Sequence, residues 1–338
     1  MGTCGRCGVS SPMSEIAVIT GASAGVGRAT AREFARRGCA VALLARDEAR
    51  LRATAREVED LGGRSLIIRT DVADCAQVER AAERVLEEFG RIDIWVNNAF
   101  AGIFSTFMDM SEEEFRRVTD VTYFGQVHGT RAALRHMLQR DCGSIVLVGS
   151  ALAYRGIPLQ SAYCGAKHAL QGFLDSVRTE LLARHSKVRL TMVQLSGVNT
   201  PQFDWIRAHV RGRPQPVGAL YQPEVAALAI WKAAHSRRKE WIVGAPAYKA
   251  IIGDKLMSPL LDRYLARGGI AAQQGEQPSE PDLTDNLFDA PPGDPGAHGR
   301  FGAKARSRSL LLWASEHRAS LAAVAAVAAV AVLAERIR

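Results

Sequence analysis

The sequence is poor in aromatic residues and lacks the motifs by which proteins commonly bind nucleic acids. Aromatic side chains make up 7% of its 338 residues, and no zinc-finger spacing or RNA-binding signature is present. The formal net charge is +8, but the seven basic and two acidic residues within 300–338 account for five of those charges. We therefore expect no nucleic-acid partner.

Cysteine is scarce and scattered, which argues against a disulfide framework and favours a reducing compartment. The six cysteines include one CxxC pair, Cys4 and Cys7, but no second CxxC or HxxxH pair follows it. A zinc site needs such a pair, so we expect no metal and take residues 1–13 as a flexible N-terminus. These residues also lack a secretory signal, which favours a cytoplasmic location.

The remaining composition, 47% hydrophobic and 23% charged, is typical of a chain with a large buried core. From residue 16 onward, short apolar runs alternate with helical patterns, and nearly all the runs are apolar throughout. Such runs predict a doubly wound α/β fold with a parallel sheet of about seven strands and helices on both faces. The predicted strands are 16–20, 40–44, 65–69, 92–97, 144–148, 188–195 and 241–243. A ligand would then bind at their carboxyl ends.

A glycine-rich loop directly follows the first predicted strand and precedes a helix. Glycines let the backbone turn sharply and approach a pyrophosphate, and the helix start offers unpaired N–H groups to it. The spacing is GxxxGxG. The candidate dinucleotide-binding residues of this loop are Gly21, Ser23, Ala24, Gly25, Val26 and Gly27.

Arg46 follows the second predicted strand, where NAD-binding enzymes usually have an acidic residue that contacts the ribose 2′-hydroxyl. A guanidinium matches the geometry of a 2′-phosphate, so we expect NADP to be preferred over NAD. Two features keep the alternatives open. Asp47 is the next residue, and Arg46 could also be a solvated side chain at a strand end.

Polar residues also follow the third and fourth predicted strands. Asp71 and Val72 come after the third, and Asn98 and Ala99 after the fourth. Either pair could contact the adenine or cross-link the ends of the sheet.

Tyr163 and Lys167 are spaced i, i+4 at the start of a predicted helix, so both side chains can reach one pocket. A neighbouring ammonium favours the phenolate and makes a tyrosine a better acid and base near neutral pH. Ser150 ends the fifth predicted strand, and its hydroxyl could donate to a carbonyl oxygen on which negative charge develops.

Together, the TGASAGVG loop, Asp71 with Val72, the NNA motif, Ser150 and YCGAK resemble the short-chain dehydrogenase/reductase family over about residues 14–245. The resemblance implies a Rossmann-type sheet, NAD(P) binding and homo-oligomers. It also implies that Tyr163 is the general acid and base, that Lys167 lowers its pKa and binds the nicotinamide ribose, and that Ser150 orients the carbonyl. Thr200 lies near the expected carboxamide contact.

Three positions depart from the family pattern. Thr122 stands where most members have an asparagine that joins a proton relay through water to the lysine, so we include it as a candidate catalytic residue. Phe100 replaces the glycine of NNAG, and Ser196 with Gly197 replaces Pro-Gly.

These features predict an NAD(P)-dependent enzyme that interconverts a carbonyl and an alcohol, both small and hydrophobic. A cofactor-binding sensor or membrane scaffold with little turnover is the alternative. Four side chains could cover an apolar substrate or simply pack on the domain: Phe203, Trp205, Ile206 and Tyr221. Three more could meet an acyl or phosphate group or be solvated: Arg207, Arg211 and Arg213.

The C-terminal third has a different composition. We expect a catalytic domain over 14–245, a helical extension over 246–272, a Pro/Gly-rich linker over 273–309 and an apolar helix over 310–338. Residues 319–334 are uncharged, and as a helix they would span about 24 Å against a hydrocarbon core of about 30 Å. With basic residues before it, this stretch could anchor the protein to the inner face of a membrane, pack on the domain or be disordered.

Overall fold

The computed structural model describes residues 14–278 and 284–318, together with Ser320 and Ala323. The predicted flexible N-terminus, with Cys4 and Cys7, lies outside these residues. Most of the uncharged stretch 319–334 lies outside them too. Within the described ranges, no helix has both the length and the hydropathy that crossing a membrane requires.

A seven-stranded parallel sheet forms the centre of the protein and confirms the predicted α/β architecture. The strands are β1 (Ile16–Thr20), β2 (Ala40–Ala45), β3 (Arg64–Arg69), β4 (Ile94–Asn97), β5 (Ser144–Ser150), β6 (Arg189–Leu195) and β7 (Glu240–Val243). Their spatial order is β7-β6-β5-β4-β1-β2-β3, and the interior strands are buried along almost their whole length because helices cover both faces.

Ten helices are present in the described part of the chain. They are α1 (Gly25–Arg36), α2 (Glu48–Asp60), α3 (Cys75–Phe89), α4 (Glu112–Thr119), α5 (Gly125–Arg140), α6 (Ser161–Ala183), α7 (Gln202–Trp205), α8 (Pro223–Ala234), α9 (Ala245–Ala272) and α10 (Leu310–Glu316). A π-helical turn, Asp120–Phe124, joins α4 to α5.

The helices build one apolar core on each face of the sheet. On one face, Phe34 of α1 and Ile230 of α8 belong to a buried apolar cluster that also contains side chains of β1 and β2. On the other face, Val78 of α3, Met137 of α5 and Leu170 of α6 belong to a second buried apolar cluster. The crossovers therefore leave the carboxyl edge of the sheet uncovered near β1, where a ligand can enter.

The helix N-termini at this edge differ in their caps. Asp47 caps α2 by accepting from the backbone N–H of Arg50, and Asp74 caps α3 in the same way with Gln77. By contrast, α1 follows Ala24, has no side-chain cap and carries no acidic residue in its first turn. Its positive end is therefore not neutralised by a carboxylate of its own first turn.

The predicted linker differs from the structure in its described part. Residues 284–301, which we call the strap, run across the carboxyl edge of the sheet, and Leu287 is fully buried. The apolar residues Leu287 and Phe288 let this segment pack on the domain. Three short pairings tie nearby segments together: Ile103–Phe104 with Arg207–Ala208, Gly212–Pro214 with Gln274–Pro278, and Leu220–Tyr221 with Ala305–Arg306.

We predict that Gly129→Ala destabilises the fold because α5 approaches β4 closely at this residue. A Cβ at Gly129 would lie 2.1 Å from Oδ1 of Asn97 and 2.6 Å from Nε1 of Trp95. Overpacking of this kind costs about 1–3 kcal/mol, measurable by denaturant unfolding. Gly172→Ala is the matched control, since no atom lies within 4 Å of its Cβ position in α6. Equal stability of the two variants would contradict this account.

Candidate active site

A cleft of about 430 Å³ runs along the carboxyl ends of the strands. At one end it is lined by the glycine-rich loop, and at the other by Ser150, Tyr163 and Lys167. The cleft therefore joins the predicted cofactor loop and the predicted catalytic residues in one continuous space. Of the other predicted binding residues, it is also lined by Arg46, Asp71, Val72, Asn98, Ala99 and Thr200.

The glycine-rich loop has the backbone shape that a bound pyrophosphate requires. Gly21 and Gly25 adopt φ values of 65° and 54°, which residues with a Cβ rarely adopt. At Gly27, a Cβ would lie 2.1 Å from the carbonyl oxygen of Gly21. The loop can therefore approach a phosphate closely, and the residues present fit a dinucleotide. Among the described residues, no group of three or more His, Cys, Asp or Glu side chains is arranged to hold a metal ion.

Asn98 links the ends of β4 and β1, and Asp71 links the end of β3 to α4. The Asn98 side chain donates to the Thr20 carbonyl over 2.9 Å, and the Thr20 hydroxyl accepts from the backbone N–H groups of Asn98 and Ala99. Asp71 accepts from Arg117 of α4 over 2.6 Å. Of the two roles left open by the sequence, cross-linking of the strand ends is thus present in the structure.

Arg46 points towards the strap. Its guanidinium donates to three backbone carbonyls, those of Asn286 at 2.5 Å, Leu287 at 3.3 Å and Phe288 at 2.5 Å. Burial lowers its pKa, and the charge of nearby Arg117 adds to the effect. The protein itself therefore takes three of the five N–H groups of the cation predicted to bind a 2′-phosphate.

Tyr163 and Lys167 lie one helical turn apart at the start of α6, as predicted. Lys167 is 2% exposed, and its Nζ donates to the Val148 carbonyl over 2.6 Å and lies 5.6 Å from the centre of the Tyr163 ring. Burial lowers the pKa of Lys167 to about 7. Burial raises the pKa of Tyr163, and a hydrogen bond with Ser150 opposes that rise. The tyrosine is therefore a neutral phenol near pH 7.

The positions that depart from the family pattern have structural roles near this end of the cleft. The Thr122 hydroxyl is buried, donates to the Ala101 carbonyl over 2.9 Å and accepts from the Ala101 N–H over 3.0 Å. Both bonds hold the loop after β4, and the catalytic role suggested for Thr122 stays a prediction. Phe100 packs edge-on against Tyr163, with the ring centres 5.8 Å apart.

The segment after β6 contributes apolar walls to the cleft. Phe203, Trp205 and Ile206 line it. Tyr221 is 3% exposed and belongs instead to the core on the sheet face that carries α1 and α8. Thus three of the four predicted covering residues reach the cleft.

Two of the three arginines suggested to meet an anionic substrate group are paired within the protein. Arg207 bonds Asp285 and Glu114, and Arg213 bonds Asp204. Neither is therefore presented to a substrate as an uncompensated cation.

The strap is the part of the site that the sequence interpretation missed. Asn286, Leu287, Ala290 and Pro291 line the cleft from the far end of the chain. The pair Leu287 and Phe288 in a polar segment was the available signal, but it carries no periodicity to show where the segment packs.

Comparison with known proteins agrees with this geometry. Residues 15–210 match the short chain dehydrogenase family, and the chain belongs to that family. It is 34% identical to the uncharacterized oxidoreductase YxnA of Bacillus subtilis over 328 residues, which covers 96% of this chain and 91% of that protein.

Solved structures with bound dinucleotides are similar as well. An alcohol dehydrogenase from Thermococcus sibiricus complexed with 5-hydroxy-NADP is 29% identical, with a TM-score of 0.59 over 68% of this chain and 96% of that one. A short chain dehydrogenase/reductase from Burkholderia phymatum in complex with NAD is 26% identical, with a TM-score of 0.65 over 74% and 95%. The neighbours thus bind either nicotinamide dinucleotide.

We predict a pH-dependent stability effect from Lys167. Its pKa falls from 10.5 to about 7 on folding, so the unfolded chain binds more protons between these values. The contribution of Lys167 to stability therefore rises with pH from about 7 to 10.5, by at most about 1.4 kcal/mol per pH unit. Lys167→Met removes the cost of burying an ammonium group near pH 7. The unfolding free energy of the variant should therefore exceed that of the wild type most near pH 7, and this difference should shrink towards pH 10. If the difference between the two unfolding free energies stays constant over this range, the pKa of Lys167 is not lowered in the folded protein.

Proposed function

We propose that the protein is an NAD(P)-dependent oxidoreductase that interconverts a carbonyl compound and an alcohol. The observation that carries this proposal is the arrangement at the inner end of the cleft. There, Ser150 and Tyr163 line the same space as Lys167, whose Nζ is anchored to the Val148 carbonyl, and this space continues to the glycine-rich loop.

In the proposed reaction, the bound nicotinamide supplies or accepts the hydride. The remaining work belongs to the protein. Ser150 and Tyr163 donate hydrogen bonds to the substrate oxygen, and Tyr163 transfers the proton to it during reduction. Lys167 stabilises the phenolate left behind, since a neighbouring positive charge favours the ionised form.

We infer a hydrophobic substrate from the walls of the cleft. Apolar side chains that line the cleft include Phe104, Ile157, Phe203, Ile206, Val217 and Pro246. Arg207 and Arg213 are paired with carboxylates, so neither favours an anionic group over an apolar one. Ketones or aldehydes with aliphatic or aromatic substituents fit these walls best.

The alternative, a sensor or scaffold with little turnover, rested on Thr122 and Phe100. Neither side chain disrupts the contacts of Ser150, Tyr163 and Lys167, so no observation favours this alternative over an enzyme. Homo-oligomer formation stays a prediction. The preference for NADP that the sequence suggested rests on Arg46 alone, a residue already bonded to the strap.

We predict that Tyr163→Phe lowers carbonyl reduction by about 10²–10⁴-fold, because the proton donor is lost. The measurement is oxidation of NADH and NADPH with a panel of hydrophobic ketones and aldehydes, together with dinucleotide binding, which the variant should retain. Tyr264→Phe is the matched control, since Tyr264 is 73% exposed on α9. Turnover that is unchanged in Tyr163→Phe would eliminate the proposed mechanism.

We further propose that residues 319–334 attach the protein to the cytoplasmic face of a membrane. Deleting residues 319–338 should move the protein from the membrane fraction to the supernatant and leave dinucleotide binding intact. Deleting residues 336–338 alone is the control, because it keeps the uncharged stretch. A truncated protein that still sediments with membranes would exclude this anchor.

A further inference from the structure

The strap is fastened to the domain at points along its whole length. At its start, Asp285 bonds Arg207 over 2.7 Å and accepts from the Leu287 N–H over 2.9 Å, and the Leu287 side chain is fully buried. Further along, Asp294 forms an ion pair with the buried Arg28 of α1. A segment held by a buried leucine and two ion pairs has a defined position rather than a linker's freedom.

The strap also contacts both sides of the cleft. From α2, Arg50 donates to the carbonyls of Pro291 and Gly293. From the glycine-rich loop, the first N–H of α1, that of Gly25, donates to the Gly296 carbonyl over 3.2 Å. On the substrate side, the Trp205 carbonyl accepts from the Asn286 N–H over 3.0 Å. The strap therefore passes over the half of the cleft that contains Arg46, Asp71 and the loop.

The strap presents hydrogen-bond acceptors at the place where the two dinucleotides differ. The carbonyl oxygens of residues 286–288 surround the Arg46 guanidinium at the end of β2, which is where a parallel sheet of this kind receives the adenosine ribose. A ribose 2′-hydroxyl can donate to such an oxygen. A dianionic 2′-phosphate has only acceptors, so it would be repelled by the carbonyls and could not use N–H groups already bonded to them.

We propose that the strap is the cofactor-selecting element of this protein: with its carbonyls on Arg46, the site favours NAD over NADP. This inference rests on the proposed use of a nicotinamide dinucleotide. It reverses the preference that Arg46 suggested in the sequence. When the strap leaves Arg46, the three N–H groups that it holds become available to a 2′-phosphate.

Equilibrium binding of NADH and NADPH to the full-length protein, followed by nicotinamide fluorescence, tests the proposal. The wild type should bind NADH at least tenfold more tightly. Leu287→Ser, which removes the buried anchor, should shift the ratio at least tenfold towards NADPH. Leu310→Ser is the matched control, because Leu310 follows the strap and is 83% exposed, and it should leave the ratio unchanged.

A double-mutant cycle assigns the effect to Arg46. In the wild-type background, Arg46→Ala should change NADPH binding no more than NADH binding. In the Leu287→Ser background, it should abolish the gain in NADPH affinity. If Leu287→Ser fails to fold, as judged by circular dichroism, Asp285→Ala takes its place, since it removes the Arg207 ion pair and the Leu287 N–H contact without opening a cavity.

Three outcomes would overturn the proposal: tighter binding of NADPH by the wild type, a selective loss of NADPH binding in Arg46→Ala alone, or a ratio that does not move when the strap is loosened. These outcomes leave the oxidoreductase function standing, because a dinucleotide is still bound. Failure of every variant to bind either dinucleotide would instead remove the proposed function, and the strap inference with it.

Discussion

The parallel pairing of β1 with both β2 and β4 is the constraint on which the site depends. Chain connections from β1 leave to one face of the sheet and those from β4 return from the other, so a cleft opens at the carboxyl ends between them. The glycine-rich loop follows β1, and Ser150 ends β5 two strands away. Strand order therefore brings the glycine-rich loop and Ser150 to one edge of the sheet.

Burial sets the chemistry at the inner end of this cleft. Lys167 is buried with its Nζ on the Val148 carbonyl, and desolvation lowers its pKa, which is costly for the fold. In return, the lysine is held beside the Tyr163 ring. A positive charge held at that position is most effective when a phenolate forms, since the surroundings screen it little. The burial of Lys167 thus destabilises the fold at a position where the proposed reaction needs a preorganised charge.

The strap changes what the cofactor end of the cleft can recognise. Arginine at the end of β2 is a feature that sequence comparison associates with a 2′-phosphate, yet the recognition depends on free N–H groups. In this protein, backbone carbonyls from residues 286–288 take three of the five N–H groups. The identity of one residue is thus less informative than the hydrogen bonds it already makes.

The sequence by itself determined the alternation of strands and helices, the glycine-rich loop and the Ser150, Tyr163 and Lys167 set, because each rests on local periodicity or on spacing within one or two neighbouring elements. Only the tertiary structure decided the environment of Arg46, the use of the Thr122 hydroxyl and the packing of Leu287. Those features join residues that lie far apart along the chain, 241 positions in the case of Arg46 and Leu287. No local pattern encodes such a contact, since it forms only when the folded domain presents a surface for the strap to cover.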